Sequence, residues 1–370
     1  MTLEYSNKKN LNLILEETEK ALFSSELIID KNLIIKGDNL NCMKSLLDFY
    51  TGKVDLIYID PPFGTNLNFT IGEERVSTIS SRKQDDIAYS DKLTDDDYLE
   101  FIRERLIFLY KLLSDKGSIY LHIDYKIGHY IKILMDEIFG KKNFKCDISR
   151  VKCNPKNFQR KSYGNIKDMI LFYTKSHNHI WNETLIDMSS EQINRLYNKT
   201  YKDGRKYTTN PLHAPGETYN GKSGQAWMGI MPPEGRHWRC SPDILDQLEE
   251  DGLIEWSKNG VPRKVIFADD YGKSKLQDIW DFKDTQRPSY PTEKNLEMLK
   301  NIIKTSSNEG GFVLDCFCGS GSTLLAAAQL NRKWIGIDSS DKAVTVTRKR
   351  FDEIESISSD YYKYIYLEQI

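Results

Sequence analysis

Val313-Leu314-Asp315-Cys316-Phe317-Cys318-Gly319-Ser320-Gly321-Ser322-Thr323 reads as an apolar strand, a glycine-containing turn and the start of a helix. Glycine at such a turn lets the backbone come close to a ligand. The unpaired N–H groups at the first turn of the following helix favour an anion. The next apolar run, Trp334-Ile335-Gly336-Ile337-Asp338, is a second strand ending on a carboxylate. In dinucleotide sites an acid at that place binds ribose hydroxyls. Taken alone, a Gly-x-Gly turn is equally a plain structural device, so its meaning depends on the rest of the chain.

The same grammar recurs toward the N-terminus. Asn32 to Lys36 is a short strand ending at Gly37-Asp38, and Asn41 to Phe49 is a helix. Val54 to Ile59 is a buried strand stopped by Asp60-Pro61-Pro62. Thr94, with Asp97 three residues on, opens a helix that runs to Leu113. Ser118 to Ile123 is a strand and Ile127 to Phe139 a helix. Ile148 to Cys153, Asp168 to Tyr173 and Gly311 to Leu314 complete seven strands, and Thr292 to Ser306 and Ser322 to Leu330 are further helices. Alternating strands and helices predict an α/β fold with a mostly parallel sheet covered on both faces. Leu11 to Leu22 has helical spacing, and Gly64 to Ser90 is polar and reads as a loop.

Between the two regular regions the character changes. Asn178 to about Asp281 is irregular and rich in Gly, Pro, Trp and Tyr, with a short helix at Pro242 to Glu250 and a strand at Gly252 to Ser257. The expected division is a helical extension over 1–30, one half of the α/β domain over 31–150, an insert over 151–285 and the second half over 286–370. A length of 370 residues suits one large domain plus a smaller one. The formal charge of -2 does not by itself announce a nucleic-acid binder. The polar first ten residues and the absence of a long apolar run predict neither a secretory signal nor a membrane helix. Six scattered Cys fit a reduced, cytoplasmic protein, and no Cys or His spacing predicts a metal site.

Asp60-Pro61-Pro62-Phe63 carries the chemistry. An exocyclic amino group has two hydrogens; Asp60 accepts one and the Pro61 carbonyl the other. Held so, the nitrogen lone pair faces a methyl donor, and catalysis is mostly positioning. Pro62 stiffens the loop, and Phe63 offers a flat face to a base taken out of the stack. The plain alternative is a rigid strand exit, where Pro stops the strand.

Together the two motifs resemble the β group of amino-methyltransferases acting on DNA, in pattern close to the modification enzymes of bacterial restriction systems. That family places the Asp-Pro-Pro-aromatic motif first, a target-recognition region in the middle and Phe-x-Gly-x-Gly last. The resemblance covers roughly Leu33 to Arg350. It implies a Rossmann-like, seven-stranded, mostly parallel sheet, permuted in sequence, with S-adenosylmethionine as cofactor. The cofactor residues it implies are Asp38, Asp60, Thr292, Asp315, Phe317, Gly319, Gly321, Thr323 and Asp338. The sequence departs from the family at Cys316, where Pro is frequent, and at Glu293-Lys294-Asn295, where Gln-Lys-Pro is frequent. Aspartate at position 60 implies adenine N6 as the target, since cytosine-N4 enzymes usually carry Ser there. No Pro-Cys dipeptide is present for cytosine C5 chemistry.

Lys141 to Lys175 holds ten cations against Asp147 and Asp168. Lys152, Lys156, Arg160 and Lys161, with Arg236 and Arg239 further on, are the expected contacts to double-stranded DNA. Single surface cations are ordinarily solvated charges, so the clustering is what points to a nucleic acid. The resemblance adds a cognate restriction endonuclease and a second copy of the chain as candidate partners. Cytosine-N4 and RNA methylation are the competing activities, and a DNA-binding module or an oxidoreductase the competing classes.

Overall fold

The computed structural model describes residues 2–62, 68–72, 75–77, 86–90, 95–155, 159, 161–218, 220–284, 293–354 and 359–370, with the backbone alone at 68–72, 75–77, 86–90 and 95. Phe63, Thr94, Lys156, Arg160 and Thr292 lie outside the described residues. The chain forms two compact units, residues 1–184 with 277–370, and Leu185–Leu276.

The larger unit is built on one nine-stranded sheet. Its strands are β1 (Leu33–Lys36), β2 (Val54–Ile59), β3 (Leu113–Ile123), β4 (Phe144–Val151), β5 (Lys167–Thr174), β6 (Ile279–Trp280), β7 (Phe312–Asp315), β8 (Lys333–Asp338) and β9 (Ile365–Glu368). Their order across the sheet is β6-β4-β5-β3-β2-β7-β8-β1-β9. Only β5 runs against its neighbours, pairing antiparallel with β3 and β4. The others run parallel. The seven expected strands are all present; β6 and β9 raise the count to nine.

Strands buried on both faces read as continuous apolar runs, which is why the sequence marks them. Leu33 to Ile35, Leu56 to Ile59 and Trp334 to Ile337 are all buried. The covering helices include α1 (Leu11–Glu17), α2 (Asn39–Tyr50), α3 (Asp95–Leu112), α4 (Tyr125–Met135), α5 (Leu296–Ser306), α6 (Ser322–Gln329) and α7 (Asp341–Asp352). Side-chain caps fix where several begin. Asp38 accepts from the N–H groups of Leu40 and Asn41 at α2, Asp124 from Lys126 at α4, and Ser340 from Ala343 at α7.

Three expectations change. The segment read as a loop from Gly64 to Ser90 contains a three-stranded antiparallel sheet, with Asn68–Gly72 between Arg75–Ser77 and Asp86–Ser90. The N-terminal helix stops at Glu17, because Thr18 turns extended and the chain then bonds to α2 and β9 through Ala21 and Ser24. The region expected as an insert over 151–285 divides, because β5 and β6 pair into the large sheet. No described helix is long and apolar enough to cross a membrane.

The smaller unit has a four-stranded antiparallel sheet, ordered Lys199–Thr200, Lys206–Pro211, Pro262–Phe267, Ile254–Trp256. A hairpin of His213–Pro215 with Arg236–Trp238 stands beside it in the chain. Its own apolar core is Leu212, Trp227, Trp238 and Leu245.

Candidate active site

Parallel strands put their C-terminal ends on one edge of the sheet, and open α/β sheets bind ligands there. β2 and β7 are direct neighbours, followed by β8 and β1. Asp60, the turn after Asp315, Asp338 and Asp38 therefore meet at one edge. They line a single cleft enclosing about 1120 Å³ of empty space, its open mouth included.

The floor of the cleft is the glycine turn. The Phe317 N–H donates to Asp315 Oδ1 at 3.0 Å, the Gly319 N–H donates to Asp338 Oδ2 at 2.9 Å, and the Gly321 N–H donates to the Cys318 carbonyl at 2.8 Å. Gly321 caps α6 with φ at +73°. A Cβ there would lie 2.6 Å from Thr347 Cγ2, whose own Oγ1 holds the Gly319 carbonyl. Gly321→Ala is expected to cost about 1–2 kcal/mol for the left-handed conformation alone, with the clash added. The checks are an unfolding midpoint lower by about 4 °C or more and weaker cofactor binding; an unchanged midpoint sinks the argument.

Burial pushes the Asp315 carboxyl up to about 7, against hydrogen bonds from Thr323 and the Phe317 N–H. Burial raises Asp338 as well, opposed by N–H donors of the same turn region. Cys316 and Cys318 are buried thiols pushed well above their ordinary range, so neither serves as a thiolate.

One wall is built on α2 and α3. Arg105, 5% exposed, donates through Nε to Asn39 Oδ1 at 2.6 Å, pairs with Asp38 at 3.3 Å and stacks on Phe101. Asn39 in turn donates to the Cys316 carbonyl at 2.7 Å. Arg105 and Asn39 thus tie the Asp38 turn to the glycine turn.

At the other end stands Asp60. Its Oδ2 pairs with Lys294 Nζ at 2.8 Å. Its Oδ1 is buried and has no hydrogen-bond partner among the described residues, which for a buried polar atom is rare. Glu293 pairs with Arg350 and accepts from Ser322 Oγ, which fastens Lys294 in place. Tyr98 donates to the Pro62 carbonyl and fixes the exit of the loop.

Behind Asp60 lies a buried polar chain. Tyr58 Oη bonds His122 Nδ1 at 2.9 Å, and His122 Nε2 bonds Asp168 Oδ2 at 3.1 Å. His122 Nδ1 is 3.9 Å from Asp60 Oδ1. Asp168 also pairs with Lys152 at 2.6 Å and Arg150 at 3.5 Å, and Arg150 continues to Asp284 and the Phe282 carbonyl. Desolvation and the nearby Lys294 charge hold the His122 imidazole below its ordinary value. Burial alone would raise Asp168, but His122, Lys294 and Lys152 outweigh it and keep that carboxyl ionised below its usual range.

A strand-end carboxylate lines the cleft beside a glycine turn and two further strand-end acids, and residues 54–349 match the family described as DNA methylase. The chain belongs to the DNA methylase family. Among its relatives, the type II methyltransferase M.EcaI of Enterobacter cloacae is 38% identical over 98% of this chain and 80% of its own length. The Mod subunit of the type III restriction-modification enzyme StyLTI of Salmonella typhimurium is 27% identical over 89% of this chain, which spans 54% of that subunit. A solved M1.HpyAVI–SAM complex is 18% identical, with a TM-score of 0.47 over 86% of this chain and 98% of that one.

In this DNA methylase the cleft brings together Asp38, Asp60, Pro62, Asp315, Phe317, Gly319, Thr323 and Asp338 from the sequence reading. Gly321 sits behind it as the α6 cap, and Pro61 is buried. Asn39, Phe101, Arg105, Glu293 and Lys294 line it without having been singled out. The Glu-Lys pair was visible only as a departure from the family pattern. The expected DNA contacts scatter. Lys161, Arg236 and Arg239 are exposed, whereas Lys152 is half-buried and pairs with the buried Asp168.

Proposed function

We propose that this DNA methylase transfers a methyl group from S-adenosylmethionine to the N6 amino nitrogen of adenine in double-stranded DNA, in the cytoplasm. The observation that carries the reading is Asp60, a carboxylate lining the cleft beside the glycine turn whose Oδ1 has no hydrogen-bond partner among the described residues. S-adenosylmethionine, when bound, supplies an electrophilic methyl on a sulfonium. Asp60 Oδ1 accepts one N6 hydrogen and the Pro61 carbonyl the other, so the lone pair points at the methyl carbon. The new N–C bond forms as the C–S bond breaks, the sulfur keeps that electron pair, and N6 sheds one proton. Phe63 stacks on an adenine turned out of the duplex. Asp38 and Asp338, with the glycine turn, hold the cofactor, and Thr292 contributes at the methionine end. The motif order along the chain supports a permuted arrangement of the methyltransferase sheet.

Duplex recognition falls to the region over 151–285. In the smaller unit Arg236 and Arg239 are exposed on or next to the hairpin strand. Desolvation, and then the charges of Arg236, Arg239 and Arg263, hold the neighbouring His213 below its ordinary value, the sign of a concentrated positive field. A cognate restriction endonuclease and a second copy of the chain are the partners this reading names.

The test is digestion of methylated DNA to nucleosides and mass spectrometry. N6-methyladenine supports the reading, N4-methylcytosine transfers the mechanism to the other base, and no methylated nucleoside on any duplex rejects it.

Asp315 adds a pH prediction. A cationic ligand beside this carboxyl favours its ionised form, so cofactor binding releases a proton. Affinity for S-adenosylmethionine is expected to rise up to about tenfold per pH unit below pH 7 and to level above it. Asp315→Asn flattens that slope. Calorimetric titration in buffers of different ionisation heat reads the released proton, and a flat wild-type profile contradicts the prediction.

A further inference from the structure

The chain from Trp227 to Met231 makes a hairpin turn on the smaller unit. Trp227 and Ile230 exchange both backbone hydrogen bonds at 2.9 Å, with Met228 and Gly229 between them. Both central residues have positive φ, +49° at Met228 and +76° at Gly229. Gly accepts that conformation freely; a long unbranched side chain does not. Among the described residues the other non-glycines with positive φ are Asp30 and Asn331, types that tolerate it. The turn therefore holds a methionine where a glycine fits better.

The tip is also apolar and in water. Met228 is 62% exposed, Ile230 40% and Met231 62%. Its base is rigid. Trp227 is buried, stacks on Trp256 with 2° between the planes, meets Trp238 edge-on and donates its indole N–H to Asp246 Oδ1 at 2.8 Å. Pro232 and Pro233 follow, and the Arg236 N–H closes onto the Pro233 carbonyl at 3.0 Å. Trp238 thus joins the tip's base to a strand whose flanks, Arg236 and Arg239, are exposed cations.

Strain, exposure and a stiff mounting together describe a device rather than a loop left over. We propose that Met228, Ile230 and Met231 form an apolar wedge that enters a base step of duplex DNA, with Arg236 and Arg239 on the adjoining phosphates. Apolar side chains between base pairs open the stack at a cost of a few kcal/mol per step, offset by the contacts the opened duplex permits. Exposed Arg236 and Arg239, on and beside the strand whose Trp238 packs on Trp227, match that polyanion and make an apolar protein surface the less suitable occupant. The inference rests on the reading of this region as the DNA-recognition region, and it adds how the duplex is opened.

The experiment uses the full chain and duplexes carrying 2-aminopurine at successive positions, whose fluorescence rises when unstacked. The wild type is expected to light one step besides the target base. A variant combining Met228→Gly, Ile230→Ser and Met231→Ser loses that second signal. Its KM for duplex rises by about tenfold or more while kcat stays within about threefold. A duplex with an abasic gap at that step restores its affinity. Met228→Gly alone keeps or raises the unfolding midpoint, because glycine suits the turn, yet weakens DNA binding, which separates the wedge from a folding defect. Unchanged fluorescence and KM in the triple variant overturn the proposal. So does a triple variant that turns dimer to monomer in sedimentation with unstacking intact, which makes the tip a protein contact. A wild type that methylates but opens no second step removes the wedge and leaves the function. One that opens the step without methylating removes the function and leaves the wedge.

Discussion

Asp60→Ala is expected to lower the single-turnover methylation rate by about 10²- to 10³-fold while S-adenosylmethionine still binds. The size follows from removing one preorganised acceptor in a site sheltered from water, about 3–4 kcal/mol of transition-state stabilisation. Asp60 Oδ1 is buried without a hydrogen bond, while Oδ2 is engaged by Lys294 at 2.8 Å. The unpaired oxygen can accept a substrate N–H once the side chain turns it toward the cleft that Asp60 lines. The proposed cofactor contacts lie mostly at the glycine turn and at Asp38 and Asp338, so the substitution weakens cofactor binding far less than methylation. Rapid-quench kinetics with labelled donor, alongside equilibrium cofactor binding, separate the two. Methylation within about tenfold of wild type would remove Asp60 from the mechanism. Asp60→Asn keeps the shape and an acceptor oxygen, so it should fall between the two.

The second large effect is on stability. Arg150 is fully buried and serves Asp168, Asp284 and the Phe282 carbonyl together. Arg150→Met leaves Asp168 buried with one cation fewer, which costs about 3–5 kcal/mol. The unfolding midpoint is expected to drop by roughly 10 °C. Lysine at this position should not restore it, because a single ammonium cannot reach three acceptors in a fork geometry. The pH response carries a further signature. His122 and Asp168 both have folded-state values below their ordinary ones. Each depressed group contributes stability above its unfolded value and loses it as pH falls. The wild type should therefore weaken below about pH 6.5 through His122, and again below about pH 4 through Asp168. The onset of the second loss is set by the unfolded carboxyl and stays near pH 4 when Arg150 is removed. An Arg150→Met protein that melts like the wild type would mean that His122, Lys294 and Lys152 suffice for Asp168.

The sequence exposed the parts whose physics is local. Six of the strands were visible because burial on both faces makes each a continuous apolar run, β4 being only partly buried and mixed in polarity, and the acids at strand ends were visible because a strand edge puts them there. β6 was too short to show, with only Ile279 and Trp280. β9 was hidden because its four residues alternate Ile365 and Leu367 with Tyr366 and Glu368. The segment 68–90 looked like a loop because its polar residues mask the alternation of three short strands. Pairing across the sheet was the larger gap. Asp168 reaches His122 only because β5 runs antiparallel to β3, with His122 opposite Ile170. Nothing in the periodicity of either strand announces that direction. The same gap misplaced Lys152: a cluster of cations reads as a surface until the buried carboxylate beside it is known. Arg105 and Asn39 escaped notice because they lie on helices among ordinary amphipathic neighbours, and their shared task exists only once α2 and α3 are packed together. For the DNA contacts, composition indicated a region, and which arginines face outward was decided by the smaller unit's own core.

β1 pairs on one side with β8 and on the other with β9. Its partners therefore follow it in the chain by about three hundred residues. At a synthesis rate of about 5–20 residues per second, that first strand waits roughly 15–60 s before anything exists for it to pair with. The turn bearing Asp38 waits as well, since its N–H is held by the Gln369 side chain and Gly37 packs against the same residue. During that interval Leu33, Ile34 and Ile35 form a bare apolar edge on a nascent chain, open to a chaperone or to a neighbouring polysome. Yield in the cell is then governed by how well one short segment is sheltered while the rest is still being made, and slowing the ribosome between β2 and β8 should lower it.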